Sequence, residues 1–351
     1  MSVGKNRKSI KDKLNIVLVG YGYWGRNISK TLRNLSDCNF YGILDTDKKK
    51  IYEFISIFPT VQVYSNLDEV VDDVFVDAVI IATPVSSHYL IARKCLLKGK
   101  HVLCEKVLST NLQEIKELKS ISETNKIVLE IGFTFLYNSI VERIKKEISK
   151  NKLGNIIYLT FKRTGFGPIR EDVNAYTDLM SHDLSMCLYW IGIPDWVQAV
   201  GINVIQNSVS DVSFVQLGYK NGVIVQMFCS WITPLKQRIV EIVGSNGMII
   251  FDDVNNSEKL KMITPSSSYY KQAMDFGSFQ LSLKSGDIVV PNIEYPEPLM
   301  TEVQGFINKV KSLRKQKEEF DTVEISENVA HILNMIEKSI INNSSKIYFD
   351  A

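Results

Sequence analysis

At 351 residues the chain is long enough for two domains with cores of their own. Its 45% apolar and 23% charged residues describe an ordinary globular protein, and a net charge of +2 excludes a strong pull toward nucleic acid or an anionic membrane. Five cysteines, Cys38, Cys95, Cys104, Cys187 and Cys229, lack CxxC spacing, which argues for buried free thiols in a reducing cytoplasm rather than disulfides or a metal site.

Residues 1–13 carry Lys5, Arg7, Lys8, Lys11 and Lys13 against Asp12, a basic tail expected to be solvated and disordered. No signal peptide is expected before Leu14, and no run is apolar and long enough to span a bilayer. The first apolar run, Leu14–Val19, leads into Gly20-Tyr-Gly22-Tyr23-Trp24-Gly25, and Asp45 lies 20 residues beyond the last of these glycines. A buried strand, a three-glycine turn, a helix start and a later acid together describe a dinucleotide site. Gly20 allows the turn, Gly22 admits a pyrophosphate to the backbone amides, and Gly25 lets the helix pack close. The anion then sits on the positive end of the helix beginning near Trp24. Asp45 stands where an acid would accept the adenosine ribose hydroxyls, and its charge would repel a 2′-phosphate, which favours NAD over NADP; the alternative is a strand-end aspartate that starts a turn over 45–47.

Five further apolar runs follow: Phe40–Leu44, Val61–Tyr64, Ala78–Ile81, His101–Cys104 and Ile127–Ile131. Helix-period stretches separate them, among them 86–97 and 111–125, the latter opening on a Ser-Thr-Asn cap. Strands alternating with helices predict right-handed crossovers and a parallel sheet covered on both faces, a dinucleotide-binding domain over 14–132. Thr83-Pro84 ends the fourth strand, at the carboxyl edge where such sheets bind ligands, and His88 lies one turn into the next helix. Glu105-Lys106 closes the fifth strand at the same edge, where buried charges are costly unless paired or functional.

The remainder, 133–351, reads as an α+β domain with a large, mostly antiparallel open sheet. A helix over 138–150 precedes strand runs at 156–163, 197–205, 212–219, 223–231, 238–243 and 248–251. Asn221-Gly222 and Asn246-Gly247 read as hairpin turns that use positive φ. The polar stretch 257–286 reads as loop, and helices near 299–313 and 326–342 close the chain. An open sheet with one face backed by helices leaves a second face that a homo-oligomer (dimer or tetramer) would cover. Asp178 and His182 are four apart, so on a helix they share a face, and the aspartate would fix the imidazole's tautomer. The alternative for this pair is a helix-start cap beside a core histidine. Lys162, Arg163, Arg170, Asp172 and Asn174 precede that helix; Arg163 and Asn174 are the candidate substrate contacts, with solvated loop charges as the alternative.

Taken together, Gly20-Tyr-Gly-Tyr-Trp-Gly-Arg-Asn27, Ala82-Thr-Pro-Val-Ser-Ser-His88, 99–106, 132–138 and Asp178-Leu-Met-Ser-His-Asp183 resemble the Gfo/Idh/MocA family of oxidoreductases. Within it the chain is similar to the branch acting at the 3-position of nucleotide sugars, through Gly22-Tyr-Trp-Gly-Arg-Asn27, Asp172-Val-Asn174 and the Ser230 to Arg238 segment. The resemblance implies that Thr83-Pro84 meets the nicotinamide half of NAD, that His88 packs or bonds near it, and that Glu105 helps hold the cofactor. It implies that Lys106 reaches the reacting hydroxyl, although Val107 stands where the family has proline. Tyr23 and Trp24 join the cofactor set as part of the glycine motif. The implied activity is hydride transfer between nicotinamide and a ring carbon, with Lys106, Asp178 and His182 catalytic and Lys106, Arg163, Asn174 and His182 binding the sugar. Asp183 is read as a structural neighbour. The alternatives are a ketosugar reductase, a free-sugar or inositol dehydrogenase, or a dinucleotide-binding sensor without turnover.

Overall fold

The computed structural model describes residues 13–167, 169, 173–205, 209–265, 285–312 and 320–349. The basic tail up to Asp12, Arg170 and Asp172 lie outside the described residues. The chain divides into two compact units, 1–133 with 297–327, and 134–296 with 328–351.

The first unit is a six-stranded parallel sheet. Its strands are β1 (Leu14–Val19), β2 (Cys38–Leu44), β3 (Gln62–Val63), β4 (Ala78–Ile81), β5 (His101–Glu105) and β6 (Leu129–Gly132), in the order β3-β2-β1-β4-β5-β6. Four helices alternate with the longer strands: α1 (Tyr23–Asn34), α2 (Lys48–Ile57), α4 (Val85–Leu97) and α5 (Leu112–Asn125), with the short α3 (Leu67–Asp72) before β4. Capping sets their starts. Asp47, Asn66 and Asn111 each accept a backbone N–H of the turn they open. β1 and β4 are buried along nearly their whole length, as continuous apolar runs covered on two faces must be.

The first core holds Ile16, Leu18, Ile28, Leu32, Phe54 and Ile80, and also Leu299, Val303, Phe306, Ile307 and Val310 of a helix near the other end of the chain. That helix, α8 (Pro298–Ser312), therefore belongs to the first unit, although its residues lie inside the stretch expected to form the second domain. The buried carboxylate of Glu130 on β6 secures this region: it pairs with Lys309 of α8 and accepts the Thr322 hydroxyl at 2.9 Å.

The second unit is a nine-stranded sheet in the order β14-β13-β12-β11-β7-β10-β9-β8-β15. These are β7 (Ile156–Thr164), β8 (Trp196–Ile202), β9 (Val212–Gly218), β10 (Ile224–Ser230), β11 (Gln237–Gly244), β12 (Gly247–Asp252), β13 (Leu260–Pro265), β14 (Ser285–Val289) and β15 (Ile347–Tyr348). All neighbours are antiparallel except β7 and β10. The stretch read as loop from Ser257 thus contributes a strand, β13, and the first residues of another, β14. Both are outer strands of mixed composition, which carry little periodic signal.

On the inner face, α6 (Ser139–Ser149) and α7 (Ser181–Ile191) cover β7: the indole of Trp190 donates to the Val141 carbonyl and stacks 6.1 Å from Phe161. The closing helix α9 (Thr322–Ile341) meets β8, where Ser339 Oγ accepts the Ala199 amide at 2.9 Å. Both expected turns close hairpins, by different means. Gly222 uses a positive φ of 87°. Gly247 does not; it is needed because an added Cβ would lie 2.8 Å from the Ile263 carbonyl oxygen of β13.

Candidate active site

Parallel strands bring four of the predicted segments to one edge of the first sheet. The glycine turn, Asp45, Thr83-Pro84 and Glu105-Lys106 follow the carboxyl ends of β1, β2, β4 and β5. The glycines divide their work as the motif requires. A Cβ on Gly20 would lie 2.4 Å from the Ala82 carbonyl oxygen, and one on Gly25 would lie 2.1 Å from that of Gly20, so side chains are excluded at both. Gly22 instead faces open space, with nothing within 4 Å of an added Cβ. It is the N-cap of α1, which has no side-chain cap and no acid in its first turn. Uncapped amides facing open space fit a pyrophosphate. Tyr23 is 77% exposed and packs edge-on against Trp24 in the same turn.

Asp45 is held rather than loose. Its Oδ2 accepts the Tyr21 amide at 2.6 Å and its Oδ1 accepts Asp47 N at 2.8 Å, with Lys50 Nζ at 3.9 Å. A carboxylate has lone pairs to spare for two ribose hydroxyls after these two bonds. The donor set and the open glycine turn together fit a dinucleotide.

His88 is 1% exposed, and both its ring nitrogens face backbone carbonyls: Nδ1 that of Val107 and Nε2 that of Thr83, each at 2.8 Å. Both contacts are to the turns that follow β4 and β5. Ser87 Oγ donates to Thr83 Oγ1 at 2.7 Å. At the end of β5, burial pushes the Glu105 carboxyl up to about 7 against the lowering pull of Lys106. The Lys106–Val107 peptide is cis.

In the second unit a π-turn, Tyr176–Met180, carries Asp178, and α7 carries His182. The sequence spacing anticipated a regular helix; the wider turn is a feature that recurs at functional sites. Asn174 holds its start. Its Oδ1 accepts Ser210 N at 2.7 Å, its Nδ2 donates to Tyr176 Oη at 2.9 Å, and Ala175 N bonds Ser210 O at 2.9 Å. With both ends of its amide engaged, Asn174 clamps this loop.

Arg163 is buried on β7 and grips Asp183 through Nε at 3.0 Å and Nη2 at 2.6 Å. Burial works against its charge, but Asp183 outweighs that and keeps the guanidinium above its ordinary pKa. Asp183, read in sequence as a structural neighbour, is the buried counter-ion, and Phe135, to which no role was assigned in sequence, lies 4.7 Å below the Arg163 guanidinium with its ring 5.2 Å from that of His182. The only sequence signal for Phe135 was its place in the 132–138 segment.

All five cysteines are buried free thiols. Among the described residues, no helix is long and apolar enough to cross a membrane.

Comparison with known proteins places this geometry. Residues 14–133 match the NAD-binding Rossmann domain of the GFO/IDH/MocA oxidoreductases, and 141–250 match that family's C-terminal domain. The chain is 26% identical to a myo-inositol 2-dehydrogenase of Thermotoga maritima, over 70% of this chain and 77% of that one. It is 24% identical to a UDP-N-acetylglucosamine 3-dehydrogenase of Acidithiobacillus ferrooxidans, over 68% and 74% respectively. The structure of GenD2 from gentamicin A biosynthesis, in complex with NAD, superposes with a TM-score of 0.79 at 20% identity, covering 100% of each chain. With a glycine turn built for a dinucleotide and both family domains present, the chain belongs to the GFO/IDH/MocA family, as an NAD-dependent oxidoreductase acting on CH–OH groups.

Proposed function

We propose that the enzyme oxidises, or in reverse reduces, the C3 position of a nucleotide sugar, and that Lys106, Asp178 and His182 carry the chemistry. The observation behind the acid–base assignment is the junction of π-turn and α7, which sets Asp178 and His182 four residues apart at the head of one helix, with His182 against Phe135. His182 takes the hydroxyl proton as general base, and Asp178 supports the imidazolium that results. Lys106 offsets the charge developing on the oxygen as the C–O bond becomes a carbonyl. Phe135 packs against the His182 ring and is itself backed by the Arg163 guanidinium, which Asp183 fixes in place. Bound NAD supplies a hydride acceptor at nicotinamide C4, so loss of proton and hydride together balances the oxidation. The glycine turn and Asp45 bind that cofactor, and the Thr83-Pro84 and Glu105 segments line its nicotinamide half.

The nucleotide-sugar assignment is supported by the likeness to the UDP-N-acetylglucosamine 3-dehydrogenase, and an inositol or free-sugar substrate by the likeness to the myo-inositol enzyme. Nicotinamide absorbance with NAD and UDP-N-acetylglucosamine, UDP-glucose, myo-inositol or glucose 6-phosphate separates them. Turnover with the UDP sugars is expected. Turnover with the unlinked polyols or sugars alone refutes the substrate assignment, and NAD binding without turnover of any candidate favours a sensor. Lys106→Met should lower kcat by about 100-fold or more while NAD still binds.

We further propose a homo-oligomer joined through the open face of the second sheet. Pairing there sets Ile224 beside Tyr158 and Phe228 beside Phe214, whose rings stack at 4.7 Å. Tyr158, Phe214, Ile224, Val200 and Ile202 are all exposed.

A further inference from the structure

The turns after β4 and β5 leave neighbouring strands, paired through Ile81 and Cys104, and one side chain bonds to both of them. We propose that His88 is a positioning residue that ties the Thr83 turn to the Val107 turn and thereby fixes the backbone from which Lys106 projects. This rests on the reading of Lys106 as the group that meets the substrate hydroxyl.

The ring geometry carries the argument. The imidazole nitrogens point in divergent directions from a rigid ring, and each lies 2.8 Å from a backbone carbonyl, a full-strength hydrogen-bond distance. A carbonyl oxygen only accepts, so both contacts are hydrogen bonds when the ring carries both N–H protons; with one proton the ring holds one turn and sets a lone pair against the other oxygen. At 1% exposure no solvent substitutes for either bond. The base of the clamp is itself fixed. His88 stands in the first turn of α4, where Ser87 Oγ reaches Thr83 Oγ1 and the Pro84 carbonyl, so the Thr83 side is anchored twice. The Val107 side is what the ring adds. Val107 follows Lys106 directly, and a bond to its carbonyl limits where the lysine's own backbone can move. A histidine that only packed the core would not need both nitrogens aimed at two different turns.

The test reads Lys106 directly, so it does not depend on which sugar is turned over. In the cofactor-free full-length protein, trace acetic anhydride labelling with peptide mass spectrometry gives the acylation rate of Lys106 relative to Lys220, which is 92% exposed. Asparagine places its amide nitrogen near the former Nδ1 and keeps the Val107 bond; glutamine places its nitrogen near Nε2 and keeps only the Thr83 bond. In His88→Leu and His88→Gln the Lys106 rate should change by at least about threefold, and His88→Asn should restore it toward wild type. NADH affinity should move less than that in all three, since the glycine turn is untouched. An unchanged Lys106 rate in His88→Leu, whatever its melting temperature, overturns the proposal. If His88→Leu does not fold, equal Lys106 rates in the asparagine and glutamine variants overturn it. Failure of nucleotide-sugar turnover, with the labelling pattern as expected, would count against the substrate assignment alone.

Discussion

Asp45 is bonded to the glycine turn itself, through Tyr21 N, so its charge is fixed beside that turn. Lys50, 3.9 Å away, is held by that charge. Asp45→Ser removes the repulsion toward a 2′-phosphate and releases Lys50 to meet it. The ratio of NADP to NAD affinity should rise by about tenfold or more, measured by fluorescence titration; an unchanged ratio would mean that Asp45 does not set the preference. Glu105 makes a second residue-scale case. Burial raises its pKa to about 7, so its neutral form is the one the folded state favours. The stability this gives is complete below the ordinary carboxylate range and is lost as pH rises through about 7. Glu105→Gln stays neutral throughout. Its melting temperature relative to wild type should therefore be higher at pH 8.5 than at pH 5, and a difference independent of pH would refute the burial argument. The placement of the glycine motif, Asp45 and the Glu105-Lys106 pair at one sheet edge was legible in sequence because each stands at a strand end. The partners of Arg163 and Asn174 were not legible, for a physical reason. An arginine on a strand and an asparagine on a loop look available until the fold supplies Asp183 from a helix and Ser210 from a distant loop.

Among elements, the head of α7 concentrates the dependence. The Arg163–Asp183 pair joins that helix to β7, and both side chains are almost fully buried. Asp183→Ala leaves a guanidinium without its counter-ion and should cost about 3–5 kcal/mol in denaturant unfolding. A loss below about 1 kcal/mol would show that water reaches Arg163. Periodicity revealed most strands and helices of both sheets to within a few residues, since apolar runs and alternation are local. It could not reveal the π-turn, whose extra residue per turn leaves no mark in a five-residue stretch. β13 and β14 were hidden for a related reason: outer strands need bury little, so their sequences are under weak constraint. What a helix packs against is not local information at all, which is why α8 read as part of the second domain.

For the molecule as a whole, the open sheet face makes a prediction about assembly. Light scattering should give at least twice the chain mass, and Phe214→Lys with Ile224→Glu should reduce it to one chain while NAD binding persists. A monomeric wild type would refute the interface. The chain also passes between its two units at 133/134, 296/297 and 327/328. Phe306 and its neighbours on α8 complete the core begun by β1 and α1, and they are nearly three hundred residues downstream of it. On the ribosome, then, the nucleotide-binding half cannot finish folding when its last strand emerges. It must wait, with apolar surface uncovered, until eight of the nine strands of the second sheet and then α8 have been synthesised, and a gene truncated after Phe133 should yield an aggregating fragment rather than a miniature cofactor-binding protein.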